Sequence, residues 1–242
     1  MHLAGASIAA RFTARHREAV LESRRAGTRL LCRALASLRS PPRVLISSSA
    51  VGIYGDRGDE VLDESSLPGK GFLAEVATAW EEETAPAERA GIRMVHVRTG
   101  LVLSASGGAL APLLLPARLG LGGALGSGRQ WWSWIAMDDV IGAIRHALET
   151  STLSGPVHLT APGAVRQAEF ARILGRVLGR PTFIPTPAFA LRLLLGRGMA
   201  DALILASARV VPGRLVASGY PFRFAELERA LRHVLGREGA RP

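Results

Sequence analysis

The chain of 242 residues has one cysteine, Cys32, one lysine, Lys70, and two tyrosines, Tyr54 and Tyr220. A single cysteine excludes an internal disulfide and any multi-cysteine metal site. No apolar run approaches the ~18 residues of a membrane-spanning helix, and the stretch Ala109 to Ala117 is broken by Pro112 and Pro116. The opening segment MHLAGASIAARF has neither the basic region nor the long apolar run of a secretory signal. The histidines, His2, His16, His96, His146, His158 and His233, show no H-x-x-x-H spacing, which argues against a zinc site. No G-x-S-x-G elbow supports a hydrolase triad. The net charge is +10, but the arginines are scattered and no aromatic-rich nucleic-acid motif accompanies them. These absences predict a reducing, cytoplasmic protein that binds neither nucleic acid nor membrane.

What is present is an alternation of helices and short apolar runs. Thr13 caps a predicted helix running to Arg39, stopped by Pro41-Pro42. Arg43 to Ser47 reads as a buried parallel strand ending in serines. Phe72 to Ala90 reads as one helix, kinked near Pro86, with Glu81, Glu82 and Glu83 as a solvated face. Arg93 to Val97 and Val157 to Thr160 are further strands, and Trp131 to Ile135 looks extended. Leu110 to Leu119 reads as helical. Asp138 is placed as the cap of a helix through Leu148, and Arg166 to Leu178 as an amphipathic helix ended by Gly179. The order predicts an α/β fold, a doubly wound, Rossmann-like parallel sheet. Residues 1–180 form this domain. Residues 181–242, broken by Pro187, Gly196, Gly198, Pro212 and Gly219, form a small, mainly helical appendage.

In such sheets ligands bind beyond the carboxyl ends of the strands. Ser47 to Ser49 and Arg98 to Gly100 stand at two such ends. A dinucleotide fold also needs a glycine-rich loop between its first strand and first helix to hold the pyrophosphate. Neither G-x-G-x-x-G nor G-x-x-G-x-x-G precedes the helix at Thr13.

Four segments carry a resemblance. Leu3-Ala4-Gly5 resembles the close of the fourth strand of short-chain dehydrogenases. Ser47 to Gly55, reading SSSAVGIYG, resembles the strand-end serine segment of their extended branch. Val97 to Leu103, VRTGLVL, and Trp134 to Val140, WIAMDDV, are similar to the next two segments of that branch. With the tail SARVVP and GYPF, the chain resembles an atypical branch of the NAD-dependent epimerase/dehydratase superfamily that carries a C-terminal domain of unknown function. The resemblance covers residues 2 to about 236. It implies that the phosphate loop and first strands would lie ahead of Met1, and that without them the sheet edge would favour a homodimer.

The resemblance also implies a cofactor, NADP or NAD with NADP slightly preferred, and a small-molecule substrate, an anionic one being what Arg129 would suit. Ser49 matches the catalytic serine. Ala4, Gly5, Ser47, Ser48, Arg98, Thr99 and Gly100 would line the cofactor. Tyr54, Arg129 in the loop GSGRQ, and Trp132 would face the substrate. Working members use a Tyr and a Lys four residues apart on one helix to move the proton. Here Phe72 or Leu73 replaces the tyrosine, and Val76 or Ala77 the lysine. The usual mechanism is therefore in doubt. The leading expectation is an epimerase/dehydratase-like protein of unknown substrate. The alternative is a non-catalytic nucleotide-binding or regulatory protein on the same fold.

Overall fold

A computed structural model describes residues 1–238. Helix α1 (Ala14–Ala36) starts where the Thr13 hydroxyl accepts the His16 amide at 3.2 Å. That bond satisfies one of the amides the first helical turn leaves unpaired. Strands β1 (Val44–Ala50), β3 (Arg93–Thr99) and β7 (Gly155–Leu159) form a parallel sheet in the order β1-β3-β7. His2 bridges β1 on its other side, in parallel, through Ser47. The strands run to Ala50 and Thr99, past the expected ends, because the β1–β3 pairing continues to those residues.

The two faces of the sheet differ. One face carries Ile46, Val95, Val97, Val157 and Leu159, which pack with Ala143 and Ala147 of α5 (Met137–Glu149). The other begins apolar, with Leu45 and Met94 against Cys32 of α1 and Ala87 of α3 (Ala85–Arg89). Toward the carboxyl ends it turns polar. Ser47 and His96 are partners in register, and Ser49, Arg98 and His158 form a transverse row across the three strands. Helix α2 (Phe72–Glu82) covers this polar half. The single helix expected from Phe72 to Ala90 is two. Pro86 sits in the first turn of α3, and a proline there has no N–H to continue the α2 ladder.

Beyond the carboxyl ends lies a layer of short ribbons. β2 (Val61–Leu62) pairs with β9 (Arg209–Val210), β4 (Leu101–Leu103) with β6 (Trp134–Ala136), and β5 (Trp131–Trp132) with β8 (Val165–Arg166). Helix α4 (Ala111–Arg118) and helix α6 (Gln167–Leu178) flank them, and Gly179 ends α6 in the left-handed region at φ 65°. The chain then forms α7 (Ala188–Leu195), α8 (Arg197–Met199), a π-turn over Ala200–Leu205, α9 (Gly213–Ala217) and α10 (Leu227–Val234).

This last part shares a core with what precedes it. Phe224, Leu227, Ala230 and Leu231 pack with Trp132, Trp134, Phe170 and Leu174. The expected Asp138 cap is not formed: Ala136 holds the N-cap position, without a side-chain hydrogen bond. Its neighbour Asp139 is fully buried and accepts the Arg223 and Phe224 amides at 2.8 and 2.9 Å and the Tyr220 hydroxyl at 3.0 Å. That aspartate ties α5 to the C-terminal segment rather than starting its own helix.

Candidate functional site

The transverse row builds a buried polar network. Arg98 donates to both oxygens of Glu81, at 2.8 Å each, and to the Tyr54 hydroxyl at 2.7 Å. Ser49 donates to Glu81 Oε1 at 2.6 Å. His158 Nδ1 lies 2.7 Å from the Val211 carbonyl, so that nitrogen carries the proton. Its Nε2 is then the acceptor for the Tyr54 hydroxyl, 2.6 Å away. Glu64 closes the far end by accepting the His158 and Arg214 amides at 3.2 and 3.1 Å.

Burial and charge oppose each other here. Burial raises the Glu81 carboxyl, but the hydrogen bonds and charge of Arg98 outweigh it, so the group lies below the usual range. Burial pushes the Tyr54 phenol up to about 12 even with Arg98 beside it. Burial also lowers His158 and His96, against the opposing charges of Glu64 and Glu81 respectively. The network is thus an anionic carboxylate, a cationic guanidinium and neutral phenol and imidazoles.

The helix that should carry the proton-transfer pair can now be read by position. Glu81 points into the sheet, so Ala77 and Leu73, four and eight residues earlier, lie on the same stripe. Leu73 approaches Gly52 at the end of β1: a Cβ built on that glycine would meet Leu73 Cβ at 3.4 Å. Ala77 is buried among Ile53, Tyr54, Leu62 and Val210. Phe72 points elsewhere, its ring edge-on to Phe12 and under the Arg17 guanidinium. Of the residues expected at the tyrosine and lysine positions, Leu73 and Ala77 face the strand ends, and Ala77 is packed among apolar atoms.

Several sequence expectations change. Glu81 is not part of a solvated face. Only Glu82 is exposed, while Glu83 pairs with Arg25 and Arg29 of α1. Arg98 is 5% exposed and bound to Glu81, so its donors are turned away from a cofactor phosphate. Ser49 and Tyr54 are buried within the network. Trp132 is a core residue, edge-on to Phe170 with its indole N–H on the Ile204 carbonyl, and offers no face to a substrate. Ser47 is buried, and its hydroxyl has no hydrogen-bond partner.

The remaining candidate residues are less enclosed. Ala4 and Gly5 follow the His2 bridge toward the carboxyl ends and are exposed. Ser48 and Thr99 are half-buried. Gly100 is held by close approach: a Cβ there would collide with the Ser133 carbonyl oxygen. Arg129 is exposed in its loop. A residue not anticipated from the sequence stands beside Gly5. The Arg24 guanidinium donates to the Ala6 and Val20 carbonyls and lies over the Trp80 ring. It has no carboxylate partner among the described residues. Its signal, an arginine on the inward side of α1, is one of many in an arginine-rich helix. No group of three or more metal-ligating side chains occurs among the described residues.

A parallel sheet covered by helices, with its polar residues gathered at the carboxyl ends of the strands, places the chain in the open α/β class whose ligands bind at those ends. The chain belongs to the NAD dependent epimerase/dehydratase family, which matches residues 1–158; a domain of unknown function matches residues 186–234. It is 41% identical over 229 residues to the epimerase family protein SDR39U1 of Bos taurus, covering 93% of this chain and 76% of that protein. The crystal structure of human epimerase family protein SDR39U1 (isoform 2) with NADPH superposes with a TM-score of 0.91 at 36% identity, covering 98% of this chain and 81% of that one. A nucleoside-diphosphate sugar epimerase from Corynebacterium glutamicum gives a TM-score of 0.78 at 39% identity, covering 97% and 45%. No helix among the described residues is long and apolar enough to cross a membrane.

Proposed function

We propose that this protein binds NADP(H), and NAD(H) more weakly, at the carboxyl ends of β1 and β3, and that it does so without Tyr–Lys chemistry. The observation that carries the reading is the match, over 98% of the chain, to a human protein crystallised with NADPH. Ala4, Gly5, Ser48, Thr99 and Gly100 line the binding region. Gly5 lets the Arg24 guanidinium come close, where a Cβ would meet it at 3.0 Å, and Arg24 meets the anionic cofactor there with a guanidinium that no carboxylate among the described residues neutralises. Arg129 faces a small anionic substrate from the loop. Ser49, Tyr54 and Arg98 act behind this surface, by tying the strand ends to Glu81 of α2 and to His158. Any turnover would draw on the nicotinamide as the hydride donor or acceptor.

Binding without turnover is favoured over the usual oxidoreduction. Leu73 has no proton to give, and the space a lysine would need is filled by Ile53, Tyr54, Leu62 and Val210. The test is a fluorescence titration of the chain with NADPH and with NADH. Saturable NADPH binding, weakened in Arg24→Ala and tighter than NADH binding, is the expected result. Absence of binding to either dinucleotide refutes the reading. Steady conversion of a nucleotide sugar in the presence of the cofactor refutes the part that denies turnover.

A further inference from the structure

The segment after α6 leaves an apolar surface uncovered. Phe183, Phe189, Leu193 and Leu194 are exposed by 75%, 71%, 76% and 69%, far beyond a packed side chain. Helix α7 reads AFALRLLL, apolar at every position but Arg192, and only Leu191 of it is buried. Phe189 and Leu193, one turn apart, lie on the side opposite Leu191. The helix therefore rests on the protein along one side and turns an apolar stripe to solvent.

A second exposed set lies beside it. Leu125 bridges Thr186, and the Gly126 and Thr186 amides donate to the Thr186 and Ala124 carbonyls at 2.8 Å each. A Cβ on Gly123 would collide with the Ile184 carbonyl oxygen, and Gly120 stands against Pro181. This side-by-side course sets the exposed Leu119 and Leu121 next to the Phe183 segment. Leu115 of α4, also exposed, is one turn before Leu119. Scattered exposed leucines are ordinary, but a patch built from two adjoining segments marks an interaction surface.

The surface is also of one sign. No aspartate or glutamate occurs from residue 89 to 137 or from 170 to 200. Arg118 and Arg180 are exposed and have no carboxylate partner among the described residues. Arg192 and Arg197 share one carboxylate, Asp201, at 2.8 and 3.6 Å. Arg11 donates to the last carbonyls of α7, those of Leu193 and Leu194, at 3.1 and 3.2 Å. The acids on the neighbouring helices, Glu169 and Glu228, are paired with Arg172 and with Arg176 and Arg232. Arg11, Arg118, Arg180, Arg192 and Arg197 against Asp201 leave a clear positive excess around the apolar side chains.

That charge decides what covers the patch. A second copy across a twofold axis would set these arginines against themselves. An anionic bilayer attracts them, while its headgroup–acyl boundary takes up phenylalanine and leucine side chains. Arginine suits this boundary, because its stem lies along apolar surface with the guanidinium among phosphates. The expectation of no membrane contact rested on the lack of a spanning run, and a helix lying in the interface needs none.

We propose that α7, with the Phe183 segment and the Leu119–Leu121 loop, is a reversible docking surface for an anionic lipid bilayer. Phe183, Phe189 and Leu193 enter the headgroup–acyl boundary. Arg118, Arg180 and Arg192 meet the lipid phosphates. The protein sits on the bilayer without crossing it, as the absence of a spanning helix among the described residues requires. Docking is independent of dinucleotide binding.

The experiment is sedimentation of the full chain with vesicles of phosphatidylcholine alone and of an equimolar mixture with phosphatidylglycerol. Wild type is expected to bind the mixed vesicles at least about tenfold more tightly, and less so as salt rises. Phe189→Ser and Leu193→Ser are each expected to weaken that binding about tenfold, the loss of one apolar side chain from the boundary. Arg118→Gln and Arg180→Gln are each expected to weaken it about fivefold. Leu30→Ser, equally exposed but on α1, binds as wild type. All five changes are at exposed positions, so circular dichroism and the melting temperature stay at wild-type values. No binding of wild type to mixed vesicles overturns the proposal, and so does equal binding by wild type, Phe189→Ser and Leu193→Ser. Equal affinity for the two vesicle types overturns it as well, because charge then plays no part. A dimer seen by light scattering and abolished by Leu193→Ser, with no vesicle binding, overturns it in favour of a second copy.

Discussion

Replacing Arg98 with methionine tests whether the buried network holds the strand ends. The substitution keeps the length and apolar stem of the side chain but removes two donors to Glu81 and one to Tyr54. Both partners are shielded, with side-chain exposures of 6% for Arg98 and 13% for Glu81. Breaking such a pair leaves a carboxylate desolvated and uncompensated, at a cost of about 3–5 kcal/mol. Against a total stability of ~5–15 kcal/mol, that lowers the melting temperature by roughly 6–20 °C for a chain of this size. Urea unfolding followed by circular dichroism measures the cost. The double variant Glu81→Gln/Arg98→Met should recover much of it, since removing the charge removes the desolvation problem. The pH dependence sharpens the test. In Arg98→Met only the Ser49 hydrogen bond and the His96 charge still oppose the burial of Glu81, so its carboxyl rises and takes up a proton as pH falls from 7 toward 5. Wild-type Glu81 keeps its charge in that range, because its group lies below the ordinary 4.5. The deficit of the variant therefore shrinks on acidification. A cost under about 1 kcal/mol, or additive single and double variants, would refute the reasoning.

Three further outcomes follow from the same geometry. Ala77→Lys buries an ammonium among Ile53, Tyr54, Leu62 and Val210 and should destabilise by several kcal/mol; a stable variant showing new oxidoreductase activity in an NADPH-coupled assay would mean the pocket is open. Acid titration of wild type should show stability falling first as pH drops below about 6.5, the ordinary histidine value. His158 and His96 are held below that value by burial, so the unfolded chain binds more protons there. A second loss begins below 4.5, where Glu81 is protonated in the unfolded chain; a flat profile between pH 7 and 5 would contradict the first phase. Asp139→Ala strands the Arg223 and Phe224 amides and the Tyr220 hydroxyl, and should cost about 2–4 kcal/mol from loss of charge-assisted bonds in a buried place; hydrogen exchange should show the 220–224 amides opening first.

The fold was legible where local signals and packing agree. Thr13 followed by a long helical pattern, the short valine- and isoleucine-rich runs, and Gly179 after an amphipathic stretch each mark an element the structure contains. The site was legible only as a place. The serines and Arg98 do stand near strand ends, but period-two alternation says which residues share a face, not what covers that face. α2 covers Ser49 and Arg98, and Phe170 with the C-terminal helices covers Trp132. Glu81 was hidden among three consecutive glutamates. Its helical position four residues after Ala77, on the stripe that meets the strands, was the available signal. The His158–Val211 and Asp139–Phe224 bonds join residues 53 and 85 positions apart, with no local pattern to reveal them.

Those long-range bonds bear on how the protein is made. Pairing of β1 with β3 and β7 brings Arg98, Tyr54 and His158 together once residue 159 has emerged from the ribosome. His158 has no acceptor for its Nδ1 proton until Val211 arrives, and β2 has no partner until β9 does. A nascent chain that stalls between these points holds a half-satisfied polar layer and an unpaired ribbon edge. Synthesis at ~5–20 residues per second leaves that state exposed for some seconds. The layer beyond the strand ends therefore cannot be complete until residue 211 has been made.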